Sequence, residues 1–100
     1  MKFQIVLRPE AESDLKEAFR WYEERRKGLG SEFVLSVEAS IGSVQRNPKI
    51  YPAVYKKVHR ALIQRFPFGL FYLVEKEEVV VLAVFHVRRE PRNWKTRTTV

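Results

Sequence analysis

Apolar positions change period along this chain, and each change marks an element. Phe3, Ile5 and Leu7 alternate with Lys2, Gln4 and Val6, which predicts a short strand with one clearly apolar face. Ala11, Leu15, Ala18, Phe19 and Tyr22 then recur at helical spacing and form one stripe. Pro9 suits the first position of that helix, and Glu10, Glu12 and Asp14 set negative charge at the positive end of its dipole. Arg25, Arg26 and Lys27 fill the last turn, after which Gly28 offers a stop. Phe33, Val37, Ile41 and Val44, with Val34 beside them, predict a second helix, with Ser31 as its N-cap and Asn47-Pro48 as its end. So short a connection predicts that the two helices pack as an antiparallel hairpin.

Beyond residue 50 the pattern is that of strands. Residues 55–66, irregular at their start, read as a second strand that enters a Pro67-Phe68-Gly69 turn. The apolar runs 68–74 and 79–85, rich in Val, Leu, Phe and Tyr, flank a charged Lys76-Glu77-Glu78 connection and predict an antiparallel hairpin. Both runs are apolar at almost every inner position, so both of their faces need cover. The helices can cover one face. The tail after Trp94 is short and basic, and the other face is expected to be completed by another chain. The order β-α-α-β-β-β predicts a single α+β domain over residues 1–100, a helical hairpin on one face of a mainly antiparallel four-stranded sheet. Strand order in the sheet does not follow from this pattern.

Charge sharpens the picture. The net charge is +7. Residues 1–53 hold nine Lys and Arg against eight Asp and Glu, or +1, while residues 54–100 hold ten against four, or +6. The excess lies on the sheet half and the tail, which points to an acidic or polyanionic partner. There is no cysteine, which excludes disulfides, thiolate zinc sites and cysteine nucleophiles and is compatible with the cytoplasm. No signal peptide and no membrane-spanning run is read, and no membrane partner is expected.

Candidate chemistry clusters late in the chain. His59 and His86 are the two histidines, and their spacing to carboxylates suggests no metal site. His86 stands near Arg88, Arg89 and Arg92, where an imidazole could serve as acid or base on a phosphodiester while arginines hold phosphate oxygens. The same positive field disfavours the protonated ring. Arg60 and Arg65 flank the middle strand; in a regular strand Arg60 points with Val58 and Leu62 and Arg65 with Ala61 and Ile63, so they fall on opposite faces. Arg65 could instead clamp a carboxylate near the turn. Trp94 could stack on a base or pack back onto the domain, with packing favoured, and Tyr72 reads as core. No Gly-rich phosphate loop and no Ser-His-Asp set is present, and no cofactor is expected.

Residues 60–94, with Arg65-Phe66-Pro67-Phe68, an aromatic strand through Tyr72, a Val-rich strand and His86-x-Arg88-Arg89-x-Pro91-x-x-Trp94, resemble the RelE/ParE superfamily of bacterial toxins from type II toxin–antitoxin modules. The preceding elements fit as well, so the resemblance covers nearly the whole chain. It implies a cognate antitoxin, toxin–antitoxin hetero-oligomers, and one of two targets. The ribosome-dependent mRNA-cleaving branch uses a basic pair on the second strand, an arginine on the third, another after the last strand, and a tail tyrosine. Those positions fall here on Arg60, Leu62, Gly69, Arg88 and Trp94, so two have lost their charge and the last lacks a hydroxyl. A second nuclease branch uses a glutamate base, an arginine, and a C-terminal histidine and tyrosine; His86 could match the histidine, but no tyrosine follows it. The incomplete set favours the ParE-like branch, which poisons DNA gyrase by binding. The resemblance and the charge cluster together nominate Arg60, Arg65, His86, Arg88, Arg89, Arg92 and Trp94 for target or antitoxin binding. If the chain is a nuclease acting on mRNA at the ribosome, Arg60, His86 and Arg88 are the catalytic candidates.

Overall fold

The computed structural model describes residues 3–88 and 92–98, with the backbone alone for Arg92, Asn93 and Thr98. Its elements are β1 (Gln4–Leu7), α1 (Pro9–Arg25), α2 (Leu29–Arg46), a 3-10 turn (Pro48–Ile50), β2 (Ala53–Tyr55), β3 (Val58–Leu62), β4 (Phe68–Glu75), β5 (Glu78–His86), α3 (Arg92–Lys95) and a final 3-10 turn (Thr96–Thr98). The strands form one sheet in the order β1-β5-β4-β3-β2, with β1 parallel to β5 and the other pairs antiparallel. The α+β class, the helical hairpin and the mainly antiparallel sheet are as the sequence predicts.

The sheet has five strands, not four. The run 55–66 expected as one strand is broken twice. Lys56 adopts φ 50, which reverses the chain and lets β2 pair back onto β3. Beyond Leu62 the chain leaves the sheet: Arg65 takes φ 73, and the Ile63 N–H donates to the Phe68 carbonyl across the β3–β4 connection at 2.9 Å. Gly69 accordingly lies inside β4, not in the turn. Neither break was visible in the sequence, because lysine and arginine are not the residues that usually announce a left-handed turn position.

The helix connection is also tighter than expected. α2 starts at Leu29, directly after Gly28 at φ 88, and Ser31 is an exposed residue inside the helix, not its cap. Gly28 suits that left-handed position, where a Cβ would be strained. Two amides at the start of α2 are satisfied from α1. Glu23 accepts from the Gly28 and Gly30 N–H groups, each at 2.9 Å, a carboxylate at the positive end of the helix.

α1 and α2 bury Ala11, Ala18, Tyr22, Phe33, Val37 and Val44 against Ala61, Leu70, Tyr72, Val79, Val81 and Val84 of the sheet. Four rings lock the junction. Tyr22 and Phe33 each pack on Phe66 and Phe68, with centroids 5.0 to 6.0 Å apart. Such tilted and edge-on pairs are each worth about 0.5–1.5 kcal/mol beyond area burial.

The second face of the sheet has a core of its own. Phe71, Val80, Leu82, Ala83 and Phe85 form a second core with Val58 and Trp94. Trp94 stacks on Phe71 at 4.5 Å and 27°, meets the Tyr55 ring edge-on at 5.9 Å, and is 6% exposed. The expectation of an open face underestimated the tail: a single indole buries about 150–250 Å².

β5 is apolar from Val79 to Phe85 because both its faces are buried, and a β-bulge shifts which residues face which core. Tyr72 pairs with Val81 and Phe71 with Ala83, so Leu82 is extra. Val79 and Val81 face the helices before the bulge and Val84 does after it; Val80, Leu82, Ala83 and Phe85 face the second core. β5 also outruns β1, whose pairing stops at Val81. Its bare edge is closed by two side chains. Asp14 Oδ2 accepts from the Val84 N–H at 3.0 Å, Arg97 Nη1 donates to the Leu82 carbonyl at 3.0 Å, and the two side chains form an ion pair at 2.8 Å. They stand where the amide and carbonyl of one more residue of a parallel neighbour would stand. Arg97→Ala leaves the Leu82 carbonyl without its donor and Asp14 without its counter-ion. It is expected to lower stability by about 1–3 kcal/mol in urea unfolding. A loss below about 0.5 kcal/mol, the range of ordinary surface changes, would show that the edge closes without it.

Arg65 Nη2 donates to Glu32 Oε1 at 2.8 Å and ties the β3–β4 connection to α2, while Arg26 approaches the other oxygen at 3.4 Å. The Arg65 hydrogen bond, and after it the charge and hydrogen bond of Arg26, hold the Glu32 carboxyl below its usual range against the opposing desolvation. A depressed carboxyl contributes stability that is present above its unfolded pKa and is lost as pH falls through the folded value. Carboxyl-carbon NMR should therefore place Glu32 below the usual glutamate range in the wild type and return it upward in Arg65→Ala. An unchanged titration would mean that the pair does not form in solution.

Candidate functional site

β3 and β4 position Arg60. It lies on the second face with Val58 and pairs across the ladder with Phe71. Its stem rests on Gly69: a Cβ there would stand 3.0 Å from Arg60 Cγ and 3.1 Å from Cδ. Its N–H donates to the Pro52 carbonyl at 3.0 Å, which fixes the backbone against the chain entering β2. The side chain is half-buried.

Arg65 is elsewhere. It stands in the connection after β3, bound to Glu32, with its side chain 65% exposed. The two arginines are thus separated, not by strand alternation but because Arg65 has left the strand, and Arg65 holds a carboxylate as its place near the turn suggested.

His86 ends β5, opposite Phe68, and its ring packs edge-on against that ring at 5.5 Å. Its Nδ1 accepts the N–H of Arg88 at 3.1 Å. That bond requires Nδ1 unprotonated, so the neutral ring carries its proton on Nε2. Arg88 itself is exposed. Arg89 and the side chain of Arg92 lie outside the described residues, as does Pro91.

Two clefts meet at His86. One, of about 460 Å³, runs under α1 between Trp21, Tyr22, Phe68 and Val84, with Asp14 and Glu17 at its edge. The other, of about 200 Å³, lies on the second face and brings His86 together with Arg60 and Trp94, beside Val54, Phe71, Val87 and Lys95. So the fold gathers three of the nominated residues around one cleft, sends Arg65 to another surface, and gives Trp94 to the core.

His59 is structural. Its Nδ1 meets the Tyr51 carbonyl at 2.7 Å, and its ring stacks on Tyr72 at 5.3 Å and 13°. Tyr72 is fully buried and donates its hydroxyl to the Pro48 carbonyl at 2.6 Å; burial, and secondarily the neighbouring Tyr51, pushes that hydroxyl well above its ordinary pKa. Among the described residues no three His, Asp or Glu side chains converge as a metal site would need. Among the same residues no helix is long and apolar enough to cross a membrane.

Three residues matter to the site in ways the sequence did not announce. Gly69 provides the floor for Arg60, Lys95 flanks the cleft from α3, and Val54 borders it from a strand not foreseen. Only the alternation of β4 could have located Gly69, by placing it across from Leu62 on the face of Arg60.

Comparisons with known proteins agree with this architecture. A chain from a chromosomal ParDE toxin–antitoxin system of P. aeruginosa superposes with a TM-score of 0.76 at 16% identity, covering 85% of this chain and 96% of its own. A chain of the RelBE2 toxin–antitoxin complex of Mycobacterium tuberculosis does so with a TM-score of 0.61 at 18% identity, covering 86% and 99%. At such identities the likeness speaks for the fold. No curated protein matches by sequence. The family model for the ParE toxin of the type II toxin–antitoxin system parDE matches residues 5–91. With that span matched and the fold as described, the chain belongs to the ParE toxin family.

Proposed function

We propose that this chain inhibits growth by binding DNA gyrase and is held inactive by a cognate antitoxin. One observation carries the choice of binding over catalysis: Trp94 is stacked on Phe71 and 6% exposed. A nuclease reading needs the tail aromatic at the substrate, and here it closes the second core. Leu62 is 60% exposed, and it and Gly69 stand where the mRNA-cleaving branch has basic residues, leaving Arg60 and Arg88 of that set. His86 turns its ring to Phe68 and gives Nδ1 to a backbone amide, an arrangement that suits shape and hydrogen bonding more than proton transfer. The antitoxin reading is supported by the family and by the two similar structures, both of toxin–antitoxin systems.

The alternative is ribosome-dependent cleavage of mRNA, favoured by one feature: Arg60 and His86 border the same cleft. The residues proposed here to bind the target are Arg60, His86, Arg88, Arg89 and Arg92, while Arg65, on another surface, is left out. Purified toxin is expected to inhibit supercoiling by gyrase and to leave ribosome-bound mRNA intact. Arg88→Ala and Arg89→Ala should weaken the inhibition, while His86→Gln retains most of it. Loss of a proton-transfer role would instead cost about 10²–10⁴-fold. Ribosome-dependent cuts that vanish in His86→Gln would overturn the gyrase reading.

A further inference from the structure

Several of the described cations have a partner within the fold. Arg26 and Arg65 share Glu32, Arg97 holds Asp14, Arg25 lies 3.8 Å over Trp21, and Lys56 and Lys95 lie over the Tyr55 ring. Arg60 differs. No carboxylate, carbonyl or aromatic face among the described residues takes its guanidinium, although its stem is fixed on Gly69 and the residue is half-buried. A cation with a packed stem and an open head has already lost much of the side-chain entropy that an ion pair must overcome.

The surroundings narrow the ligand. The cleft holds about 200 Å³, room for one or two side chains and less than small-molecule sites usually occupy. Phe71 and Trp94 wall it, and at 3% and 6% exposed they offer little ring surface on which a base could stack. Val54 and Val87, 38% and 40% exposed, stand at its rim in place of the further cations that a phosphate backbone would call for. Lys95 adds positive charge beside an apolar wall.

We propose that this cleft receives a single carboxylate carried beside an apolar side chain on a partner protein, and that the partner is the antitoxin. The assignment of the partner rests on the toxin–antitoxin reading; the carboxylate chemistry rests on the cleft. Arg60 takes the carboxylate as a fork, and Val54 and Val87 take the neighbouring apolar group. Gly69 is the positioning residue, because any side chain there lifts the Arg60 stem.

The test uses the full chain with nitrogen-15 arginine, following the Arg60 Nε–H resonance by NMR. The probes are a capped pentapeptide with a central glutamate between leucines, its glutamine twin, inorganic phosphate and a short single-stranded RNA. The glutamate peptide is expected to shift Arg60 saturably and to bind at least about tenfold more tightly than the glutamine twin, a factor of about 1.4 kcal/mol. Arg60→Lys should weaken the glutamate peptide by a similar factor, read from amides of the rim. Gly69→Ala, which keeps the charge and displaces the stem, should do the same, with its urea-unfolding curve reporting that it is folded. Equal binding of the twins, no response to the glutamate peptide, or a stronger response to phosphate or RNA would overturn the proposal. Growth arrest on induction separates the two readings. Arrest without a peptide response refutes the carboxylate site alone; a peptide response without arrest refutes the toxin reading and leaves the site standing.

Discussion

The β4–β5 hairpin is apolar on both faces, and the rest of the chain is arranged to meet that demand. Leu70, Tyr72, Val79, Val81 and Val84 require one cover; Phe71, Val80, Leu82, Ala83 and Phe85 require another. The helical hairpin provides the first. The second has no layer of its own and is met by Trp94, held in place because Arg97, three residues on, is anchored to Asp14 of α1. The ion pair is nearly out of water, with side chains 21% and 10% exposed, and such a pair is by itself poor grounds for stability. Here its oxygens and nitrogens also satisfy the Val84 N–H and the Leu82 carbonyl, so breaking it strands backbone groups as well as charges. The bulge at Leu82, the bare edge beyond β1 and the tail are therefore parts of one solution.

What could be read from the sequence follows from how local each signal is. The stripes of α1 and α2 repeat every three or four residues and need no knowledge of the partner surface. The β4–β5 hairpin announced itself by two apolar runs around a charged turn, and their two-sided character correctly demanded two covers. The phase of β5 could not be read, because a bulge inside an unbroken apolar run leaves no mark in the pattern. β2 escaped notice because it is three residues long and joined to β3 through Lys56-Lys57. The parallel pairing of β1 with β5 links residues more than seventy positions apart. The cap on α2 was misplaced at Ser31 because its real partner, Glu23, lies on the other helix.

The candidate site was legible to the degree that strand alternation governs it. Parity in a regular strand set Arg60 apart from Arg65, but the structure separates them by taking Arg65 out of the strand; the turn position of Arg65 made a carboxylate partner reasonable before Glu32 was known. Parity could not place His86, whose ring lies at the strand end where both clefts begin. Nor could it show that Gly69 matters through what it lacks. A glycine in an aromatic strand looks like a weakness in β-propensity; across from Leu62 and beside Arg60 it is the space that a long side chain needs.

The tail links stability to function. In this fold an aromatic after the last strand can either meet a substrate or seal the second core, and one indole cannot do both. Trp94 seals. In doing so it builds one wall of the Arg60 cleft and brings Lys95 alongside, so the cleft in this form depends on the docked tail. Any change that releases the tail should then weaken partner binding and stability together, whereas removing the head of Arg60 should weaken binding and leave the fold intact. That asymmetry follows from the geometry: Trp94 is held from all sides, and Arg60 is packed along its stem and open at its end.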